Sequence, residues 1–584
     1  MCGIVGFIGN INSKEIIDKL KIVEYRGYDS AGIAIKTNND IEIIKSVGEI
    51  KNLEEKIKPC NAKMAIAHTR WATHGKVSIE NAHPHKSFLG NWFVVHNGII
   101  ENYNELKKQL HDTYFYSQTD TEIIPNLLEK NECNIQNFIN CCNKLSGSFA
   151  LACINKYQDK LFIAKNKSPL FVCSGKNANW VASDPACFNG INNEYYKLKD
   201  GELAEITQNT ITFYNNLGEK IAKLTLPLNM EDTSYNKSHF NYFMEKEIGE
   251  TKQVIKNILD YYSKNNDNIC KLLNEFKFNK IKIIGCGTAY HAGLLGSYYI
   301  KKYLKLDCSC EIASEFRYSN PLIDKNTLCI FISQSGETAD TITSHSLAKS
   351  MQAKTISITN VSYSTLANEA DVNLPMLAGK EIGVCATKSY CAQILVFYIL
   401  VQILAKNKDF YNNIANFYDD FILLDDKIIE NIANILANEQ KVFFIGRGID
   451  YFMTQEASLK LKEITYINSS AFAGGELKHG VIALIENHTP VITLATNNEL
   501  LPKILNNALE TKSRGANLIL FTTLKLNQEI ATKFNHVINL PICEEDFLPI
   551  MVMPAFQKLA FLVCIKKNYN PDKPRNLAKS VTVE

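Results

Sequence analysis

The second half of the sequence contains the same pattern twice, and this repetition limits the possible folds more than any other feature. The segment Lys282–Gly287 is echoed by Phe443–Gly448, and three more segments recur in the same order. These are Leu328–Ile332 with Pro490–Leu494, Thr355–Thr359 with Leu518–Thr522, and Asn373–Pro375 with Asn539–Pro541. The offsets fall between about 161 and 166 residues, which favours two tandem copies of a domain over chance recurrence of strand–glycine motifs.

The alternation of apolar segments predicts the fold class of each part. From about residue 240, short apolar runs alternate with longer amphipathic stretches, which is typical of βα units around a parallel sheet. Residues 1 to about 220 differ, because short β-rich runs such as Ile4–Ile8, Gly32–Ile35 and Trp92–Val95 are separated by turns and polar loops. We therefore predict an α+β domain followed by two α/β doubly wound domains with parallel sheets.

The polar segment Asn229–Ser238 is the candidate for a linker between these parts. The predicted boundaries are 2–220 for the α+β domain, 221–271 for a linker and helical lead-in, 272–411 and 432–572 for the two α/β domains, and 573–584 for a C-terminal tail.

Composition excludes several classes of protein. The 584 residues carry a net charge of +2 without a basic block, so a nucleic-acid-binding surface is not indicated. The seventeen cysteines form no C-x-x-C pair, which argues against a disulfide framework or zinc ribbon and favours a reducing compartment. The longest apolar stretch, Ile394–Ala405, is shorter than the ~18 residues that a membrane span needs, and we interpret it as a buried helix. No signal peptide is visible, and we expect a cytoplasmic protein without membrane partners.

Cys2 is the first candidate catalytic residue, because it follows the initiator methionine. If Met1 is removed, the α-amine of Cys2, with a reference pKa of about 8, can act as general base for its own thiol. The motifs Glu24–Gly32, His68–Gly75 and His96–Asn102 follow in order. Together with Cys2–Gly6 they resemble the class II glutamine amidotransferases, whose N-terminal cysteine hydrolyses glutamine. The resemblance covers about 220 residues and implies an N-terminal nucleophile sandwich for the glutaminase domain.

The resemblance also implies roles for individual residues. Asn97 and the backbone amide of Gly98 form the oxyanion hole, and a tetrahedral intermediate indeed requires fixed N–H donors. Arg70 holds the carboxylate of glutamine and Asp120 its α-amine. The implied glutamine-binding set is Arg70, Trp71, Thr73, His74 and Asp120, in which Trp71 gates the route by which ammonia leaves.

Five histidines fall between His68 and His96 inclusive. A metal site is one interpretation, but the spacings fit no usual ligand pattern. Surface or hydrogen-bonded histidines are the interpretation that we favour, and we predict no metal site.

The segment Ser333–Thr338 is the candidate anion site of the second half. It follows the predicted strand Leu328–Ile332, and its hydroxyls, backbone N–H groups and helix start are suited to a phosphate. A helix-capping turn is the alternative interpretation.

Further segments carry a second resemblance. These further segments and Ser333–Thr341 resemble the sugar isomerase domains of the glutamine–fructose-6-phosphate amidotransferases. With the N-terminal match, the resemblance covers essentially the full chain. These segments are Glu311–Tyr318, Glu381–Val384, Gly474–Gly480 and Pro574–Glu584. The implied sugar-phosphate-binding residues are Thr288, Ser333, Gln334, Ser335, Thr338 and Val384.

Two segments depart from the family pattern. Ala289 stands where the pattern Cys-Gly-Thr-Ser has serine, and Cys385-Ala386 stands where Val-Ala-Ser-Thr-Lys has Ala-Ser. The loss of a hydrogen bond to a charged group weakens binding by about 1.5–3 kcal/mol, so we expect an altered affinity for the sugar phosphate.

Four residues carry the expected isomerisation chemistry. Lys460 and Glu463 are three positions apart, so they share a helix face, and the charge pattern alone would favour a solvated ion pair. The resemblance implies that Glu463 moves a proton between C1 and C2 while Lys460 stabilises the developing charge. It further implies that His479 opens the sugar ring and that Lys579 forms a Schiff base with the open-chain ketose.

The resemblance implies the conversion of fructose 6-phosphate and L-glutamine to glucosamine 6-phosphate and L-glutamate, without a metal, nucleotide or redox cofactor. It implies a homodimer and leaves open whether His479 acts in the partner subunit. It also implies a shielded passage for ammonia, because ammonium cannot attack a carbonyl. Two alternatives stay open. One is an amidotransferase for another phosphosugar, such as phosphoribosyl pyrophosphate. The other is a sugar-phosphate sensor that has lost synthesis, which Ala289 and Ala386 motivate.

Overall fold

The structure, a computed structural model, describes residues 2–38, 40–72, 74–111, 113–228 and 237–582. The chain divides into two compact units. Unit 1 comprises Met1–Tyr235 together with Ala578–Glu584, and unit 2 comprises Asn236–Leu577.

Unit 1 contains two antiparallel sheets that sandwich an apolar core. In chain order its strands are β1 (Gly3–Asn12), β2 (Ser30–Lys36), β3 (Ile41–Val47), β4 (Asn61–Arg70), β5 (His85–Lys86), β6 (Trp92–Ile100), β7 (Gly147–Asn155), β8 (Leu161–Asn166), β9 (Phe171–Ser174), β10 (Ala178–Ala182), β11 (Glu194–Lys197), β12 (Leu203–Ile206), β13 (Ile211–Tyr214), β14 (Lys220–Ile221) and β15 (Leu226–Pro227). One sheet has the order β15-β11-β9-β10-β1-β4-β2-β3 and the other β14-β13-β12-β8-β7-β6-β5. The core between them takes apolar side chains from both sheets, including Ile4, Ile66, Val95 and Ala150.

Helices complete unit 1 on the outer faces of the sheets. They are α1 (Ser13–Ile22), α2 (Ile50–Glu54), α3 (Tyr103–Lys108), α4 (Ile123–Glu129) and α5 (Ile135–Cys142). Helices α4 and α5 pack on the outer face of the seven-stranded sheet through a second apolar cluster that includes Leu127 and Phe138. The predicted α+β glutaminase-type sandwich is therefore confirmed.

The register of β1 and β4 positions the residues around Cys2. The two strands pair antiparallel, with Gly3 opposite Thr69, so the residue before β1 lies beside the end of β4. The pair is central in its sheet and buried on both faces, which explains why the sequences of both strands are mostly apolar.

Unit 2 contains two five-stranded parallel sheets. The strands are β16 (Lys280–Gly285), β17 (Asp307–Ile312), β18 (Thr327–Ser333), β19 (Lys354–Thr359), β20 (Val372–Pro375), β21 (Lys441–Gly446), β22 (Asn468–Ala473), β23 (Pro490–Ala495), β24 (Asn517–Thr522) and β25 (His536–Asn539). The helices are α6 (Phe243–Gly249), α7 (Thr251–Asn274), α8 (Thr288–Tyr299), α9 (Ala313–Phe316), α10 (Ala339–Ser350), α11 (Thr365–Glu369), α12 (Lys388–Leu404), α13 (Phe410–Asp420), α14 (Asp426–Ala437), α15 (Ile449–Thr465), α16 (Leu501–Lys512), α17 (Gln528–Ala531) and α18 (Leu548–Lys566).

The two sheets confirm the predicted duplication. Their strand orders, β17-β16-β18-β19-β20 and β22-β21-β23-β24-β25, are the same, and all neighbouring strands run parallel. The repetition extends to the backbone, because Gly287 and Gly448 precede α8 and α15 at φ values of 53° and 60°. The two copies share one apolar core, and α8 of the first packs against α15 of the second.

The apolar helices require one correction. Helix α12 confirms that residues 394–405 belong to a buried helix, apart from the last residue, which follows its end. The prediction that this is the longest apolar stretch is wrong, because residues 545–566 form a helical segment whose most apolar 18-residue window has a mean hydropathy of 1.9. In the part of the chain that the structure describes, it is the one helix long and apolar enough to cross a membrane. Of its most apolar window, 83% is buried inside the protein, as expected of a helix surrounded by core side chains.

Candidate active sites

The first site surrounds the sulfur of Cys2. The backbone N–H of Trp71, which follows β4, donates to Sγ of Cys2 at 3.3 Å. Strand β6 brings Asn97 to the same place, where its Nδ2 donates to the carbonyl oxygen of Cys2 at 2.9 Å. Gly98, the next residue, has a φ of 134°, and a Cβ there would lie 1.9 Å from the carbonyl oxygen of Ser148. Only glycine therefore fits beside Asn97 without moving β7.

A buried cation and a buried anion line the same cleft as Cys2. Arg70 is 3% exposed, and its guanidinium donates to the carbonyl oxygens of His74, Gly75 and Lys76, the latter two at 3.3 and 3.4 Å. Asp120 is 4% exposed and accepts a hydrogen bond from the N–H of Ile100 at 2.6 Å. The cleft thus offers one positive and one negative group, as a zwitterionic amino acid requires.

Two further residues of the predicted set belong to this cleft. Trp71 and His74 line the cleft, and the Trp71 ring meets Tyr28 edge-on at 6.0 Å between centroids. Thr73 lies outside the described residues. Burial raises the pKa of the Cys2 thiol, while the hydrogen bond from Trp71 and the charge of Arg70 act in the opposite direction. The thiol therefore needs a base if it is to attack a substrate at neutral pH.

Four histidines of this domain, His68, His83, His85 and His96, are buried close to one another. The rings of His68 and His83 stack at 4.1 Å, and His83 meets His85 edge-on at 4.6 Å. Nε2 of His68 lies 3.0 Å from the carbonyl oxygen of His96. Burial lowers the pKa of all four, that of His68 to about 3, so they are neutral at physiological pH. No cluster of three or more metal-binding side chains occurs among the described residues.

The second site is a buried charge network on α15. Nζ of Lys460 lies 2.8 Å from Oε2 of Glu463 and 3.2 Å from Oε1 of Glu456. Both Lys460 and Glu456 are fully buried. Although burial lowers the pKa of Lys460, its anionic neighbours raise it well above its ordinary value, and the lysine is charged. The charge pattern alone suggested a solvated ion pair, and this interpretation is wrong.

Helix α8 supplies the other partners of this network. Oγ1 of Thr288 accepts from Lys460 at 3.0 Å and donates to Glu456 at 2.9 Å. Nδ1 of His291 lies 2.7 Å from the other oxygen of Glu456. Burial raises the pKa of Glu456, but the charge of Lys460 and these hydrogen bonds lower it by more. The pKa of Glu456 therefore lies below its ordinary value, and the carboxylate stays ionised. Thr288, expected to line the phosphate site, thus also joins the two copies at the lysine.

The predicted phosphate segment is a loop from the end of β18 to the start of α10. Oγ of Ser333 lies 3.0 Å from Oγ1 of Thr338 and accepts from the N–H of Gly336 at 3.0 Å. The carbonyl oxygen of Gln334 accepts from Asn360 at 3.1 Å, and Oγ of Ser335 accepts from Glu337 at 3.2 Å. The loop carries three hydroxyls, of which those of Ser333 and Thr338 are in contact, and it leads into the start of α10, where the positive end of the helix dipole favours an anion.

Three predicted residues lie on other segments. The backbone N–H of Val384 donates to the carbonyl oxygen of Asp572 at 3.2 Å, in a segment between β20 and α12. His479 is exposed at the end of a short 3-10 helix, and no hydrogen bond of the described residues joins it to Lys460 or Glu463. Lys579 belongs to Ala578–Glu584, the segment that groups with unit 1.

Comparison with known proteins decides the family. The glutamine amidotransferase domain model matches residues 68–190, and the SIS domain model matches residues 276–403 and 435–563. Proteins named glutamine–fructose-6-phosphate aminotransferase (isomerizing) from Bacillus cereus and Clostridium acetobutylicum are both 41% identical, over 606 and 614 residues, with 100% of each chain covered. The chain belongs to this family.

A solved structure supports the same assignment. The C-terminal domain of glucosamine-fructose-6-phosphate aminotransferase from Francisella tularensis is 33% identical, with a TM-score of 0.54. It matches 58% of this chain and 100% of its own. This likeness accounts for the parallel sheets of unit 2.

Sequence reasoning missed three residues of this aminotransferase's second site. Glu456 lies four positions before Lys460, a spacing that places both on one helix face and could have identified it. His291 and Cys385 reach the network from 165 and 78 residues away, so no local pattern indicates them.

Proposed function

We propose that the chain converts fructose 6-phosphate and L-glutamine to glucosamine 6-phosphate and L-glutamate, and that it is cytoplasmic and homodimeric. The observation that carries the proposal is the presence of two complementary sites in one chain. A cysteine lies with a buried arginine and aspartate in unit 1, and a fully buried lysine lies between two carboxylates in unit 2. None of the seventeen cysteines, all of which the structure describes, forms a disulfide, which suits a reducing compartment.

In unit 1, the thiolate of Cys2 attacks the amide carbon of glutamine. The α-amine exposed by removal of Met1 takes the thiol proton and then delivers it to the departing nitrogen. Asn97 and the N–H of Gly98 stabilise the oxyanion, while Arg70 and Asp120 hold the α-carboxylate and α-ammonium. Water then cleaves the thioester and releases glutamate. Trp71, Thr73 and His74 complete this site.

For the sugar half of the reaction, the hydroxyl loop Ser333–Thr338 with Thr288 and Val384 holds the phosphate, and His479 opens the sugar ring. Lys579 forms an imine with C2 of the open-chain ketose and releases water, and ammonia then replaces the lysine. Glu463 removes a proton from C1 and returns it to C2, which converts the ketose imine to the aldose amine. Lys460 stabilises the negative charge that develops between these steps.

A substitution at Cys2 tests this division of labour. Cys2→Ala should abolish glutamine hydrolysis and glutamine-dependent synthesis, while synthesis from ammonium chloride stays within about twofold of the wild type. Cys60→Ala, at another partly exposed thiol of unit 1, is the matched control and should change neither activity. If Cys2→Ala abolished ammonium-dependent synthesis as well, the division would be wrong. If the wild type formed no amino sugar from either nitrogen source, the sensor interpretation would replace the synthase.

A further inference from the structure

Cys385 contacts the carboxylate to which we assign the proton transfer. Its Sγ lies 3.0 Å from Oε2 of Glu463, and Nζ of Lys460 lies 2.8 Å from the same oxygen. Two donors from different segments therefore meet on one carboxylate oxygen. In the described part of the chain, Oε1 of Glu463 has no hydrogen-bond partner, and the side chain is 21% exposed.

The thiol can act only as a donor at this position. Cys385 is 1% exposed, and burial together with the negative charge of Glu463 raises its pKa well above the ordinary value. The sulfur thus keeps its proton at physiological pH. A protonated thiol facing a carboxylate oxygen donates its hydrogen bond to that oxygen.

The segment that carries Cys385 is fixed by buried carboxylates at both ends. Glu381 accepts from the N–H groups of Thr387 and Ser389 at 3.0 and 3.1 Å. Glu247 accepts from the N–H of Ile382 at 2.5 Å. Because these anchors hold the backbone on either side, the thiol has little freedom to leave Glu463.

We propose that Cys385 is a positioning residue, which holds Oε2 of Glu463 together with Lys460 and thereby leaves Oε1 directed to the sugar. The inference rests on the proposed role of Glu463 as the base. Fixing one oxygen with two donors limits rotation of the carboxylate, and positioning within a few tenths of an ångström governs proton-transfer rates. The thiol also favours the ionised form that accepts a proton from carbon.

The test compares Cys385→Ala, Cys385→Ser and Cys391→Ala by kcat, KM and the pH dependence of amino-sugar synthesis. Alanine is the residue of the family pattern here. Hydrogen exchange of peptides from α12 and α15 reports whether unit 2 folds in each variant. We expect Cys385→Ala to lower kcat about three- to tenfold with KM for fructose 6-phosphate within twofold. The acid limb of its pH profile should move about half a unit to higher pH.

Cys385→Ser keeps a donor and should recover at least half of the wild-type kcat and the original acid limb. Cys391 is equally buried on α12, and no hydrogen bond of the described residues joins it to Glu463, so Cys391→Ala should leave the pH profile unchanged. The groups that bear on this profile are Lys460 and Cys385 at Glu463, with Glu456 and His291 behind the lysine.

An unchanged kcat and acid limb in Cys385→Ala would overturn the proposal, as would a serine variant no better than alanine. An equal loss in Cys391→Ala would assign the effect to packing and would also overturn it. The wild type shows whether the proposed function or only the role of Cys385 is wrong. If the wild type forms no amino sugar, the proposed function fails; if it does and the variants do not behave as expected, only the role of Cys385 fails.

Discussion

Replacing Glu456 with glutamine tests whether the buried charges on α15 depend on each other. The variant keeps the size of the side chain and groups able to bond Thr288 and His291, but it removes one of the two anions beside Lys460. Breaking a fully buried ion pair costs about 3–5 kcal/mol, because it leaves a charge in a site without solvent. Glu463 remains 2.8 Å from Lys460, so we expect the lower end, about 3 kcal/mol in the free energy of unfolding of unit 2.

The assay must report on unit 2 separately. The three tryptophans, Trp71, Trp92 and Trp180, all lie in unit 1, so their fluorescence follows that unit alone. Hydrogen exchange of peptides from α15, measured across a urea series, follows unit 2. Glu456→Gln should lower the urea midpoint of these peptides and leave the tryptophan transition unchanged.

A surface ion pair provides the control. Glu430 lies 3.3 Å from Lys566, and the two side chains are 57% and 26% exposed. Because exposed pairs contribute about 0–1 kcal/mol, Glu430→Gln should shift the same midpoint little. If Glu456→Gln cost no more than Glu430→Gln, the view that Lys460 is held charged by two buried carboxylates would be refuted.

Two further substitutions probe other buried carboxylates. Asp120→Asn should raise KM for glutamine about 10- to 100-fold, because the variant loses a charged hydrogen bond worth about 1.5–3 kcal/mol. Ammonium-dependent synthesis should not change. An unaltered KM would exclude Asp120 from the glutamine site. Burial raises the pKa of Asp450 to about 7, so between about pH 4 and 7 the folded state keeps a proton that the unfolded state has lost. The stability that this proton contributes is complete below about pH 4 and is lost as the pH rises through 7. Compared with Asp450→Asn, the wild type should therefore lose up to about 4 kcal/mol between pH 4 and 7 in urea unfolding, and parallel curves for the two proteins would contradict this.

The repeated pattern in the second half predicted the architecture because local signals specify it. Each copy has the same order of strand, glycine and helix, and parallel strands need helical crossovers, so the sheet follows from the pattern. Helix α18 was overlooked because Gln557 and Lys558 interrupt its apolar run, although the fold buries Gln557 completely. A polar residue can be buried in a core helix only where it finds a hydrogen-bond partner. For Gln557 this partner is the carbonyl oxygen of Thr387, which lies far away in the sequence.

In the candidate sites, too, contacts between distant segments could not be predicted from the sequence. The family resemblance indicated Cys2, Asn97, Lys460 and Glu463, since each belongs to a short motif that the family shares. It did not indicate that Lys460 would be completely buried, because this depends on α8 packing against α15 from the other copy. The contact between Cys385 and Glu463 likewise arises only when two distant segments fold together.

We expect nitrogen released at Cys2 to reach the sugar without entering the solvent. The most direct measurement uses glutamine labelled with ¹⁵N in its amide group, an excess of unlabelled ammonium chloride, and mass spectrometry of the glucosamine 6-phosphate formed. The account predicts that nearly all product carries ¹⁵N, because a sheltered intermediate does not mix with the external pool. Product labelled only in proportion to that pool would contradict it.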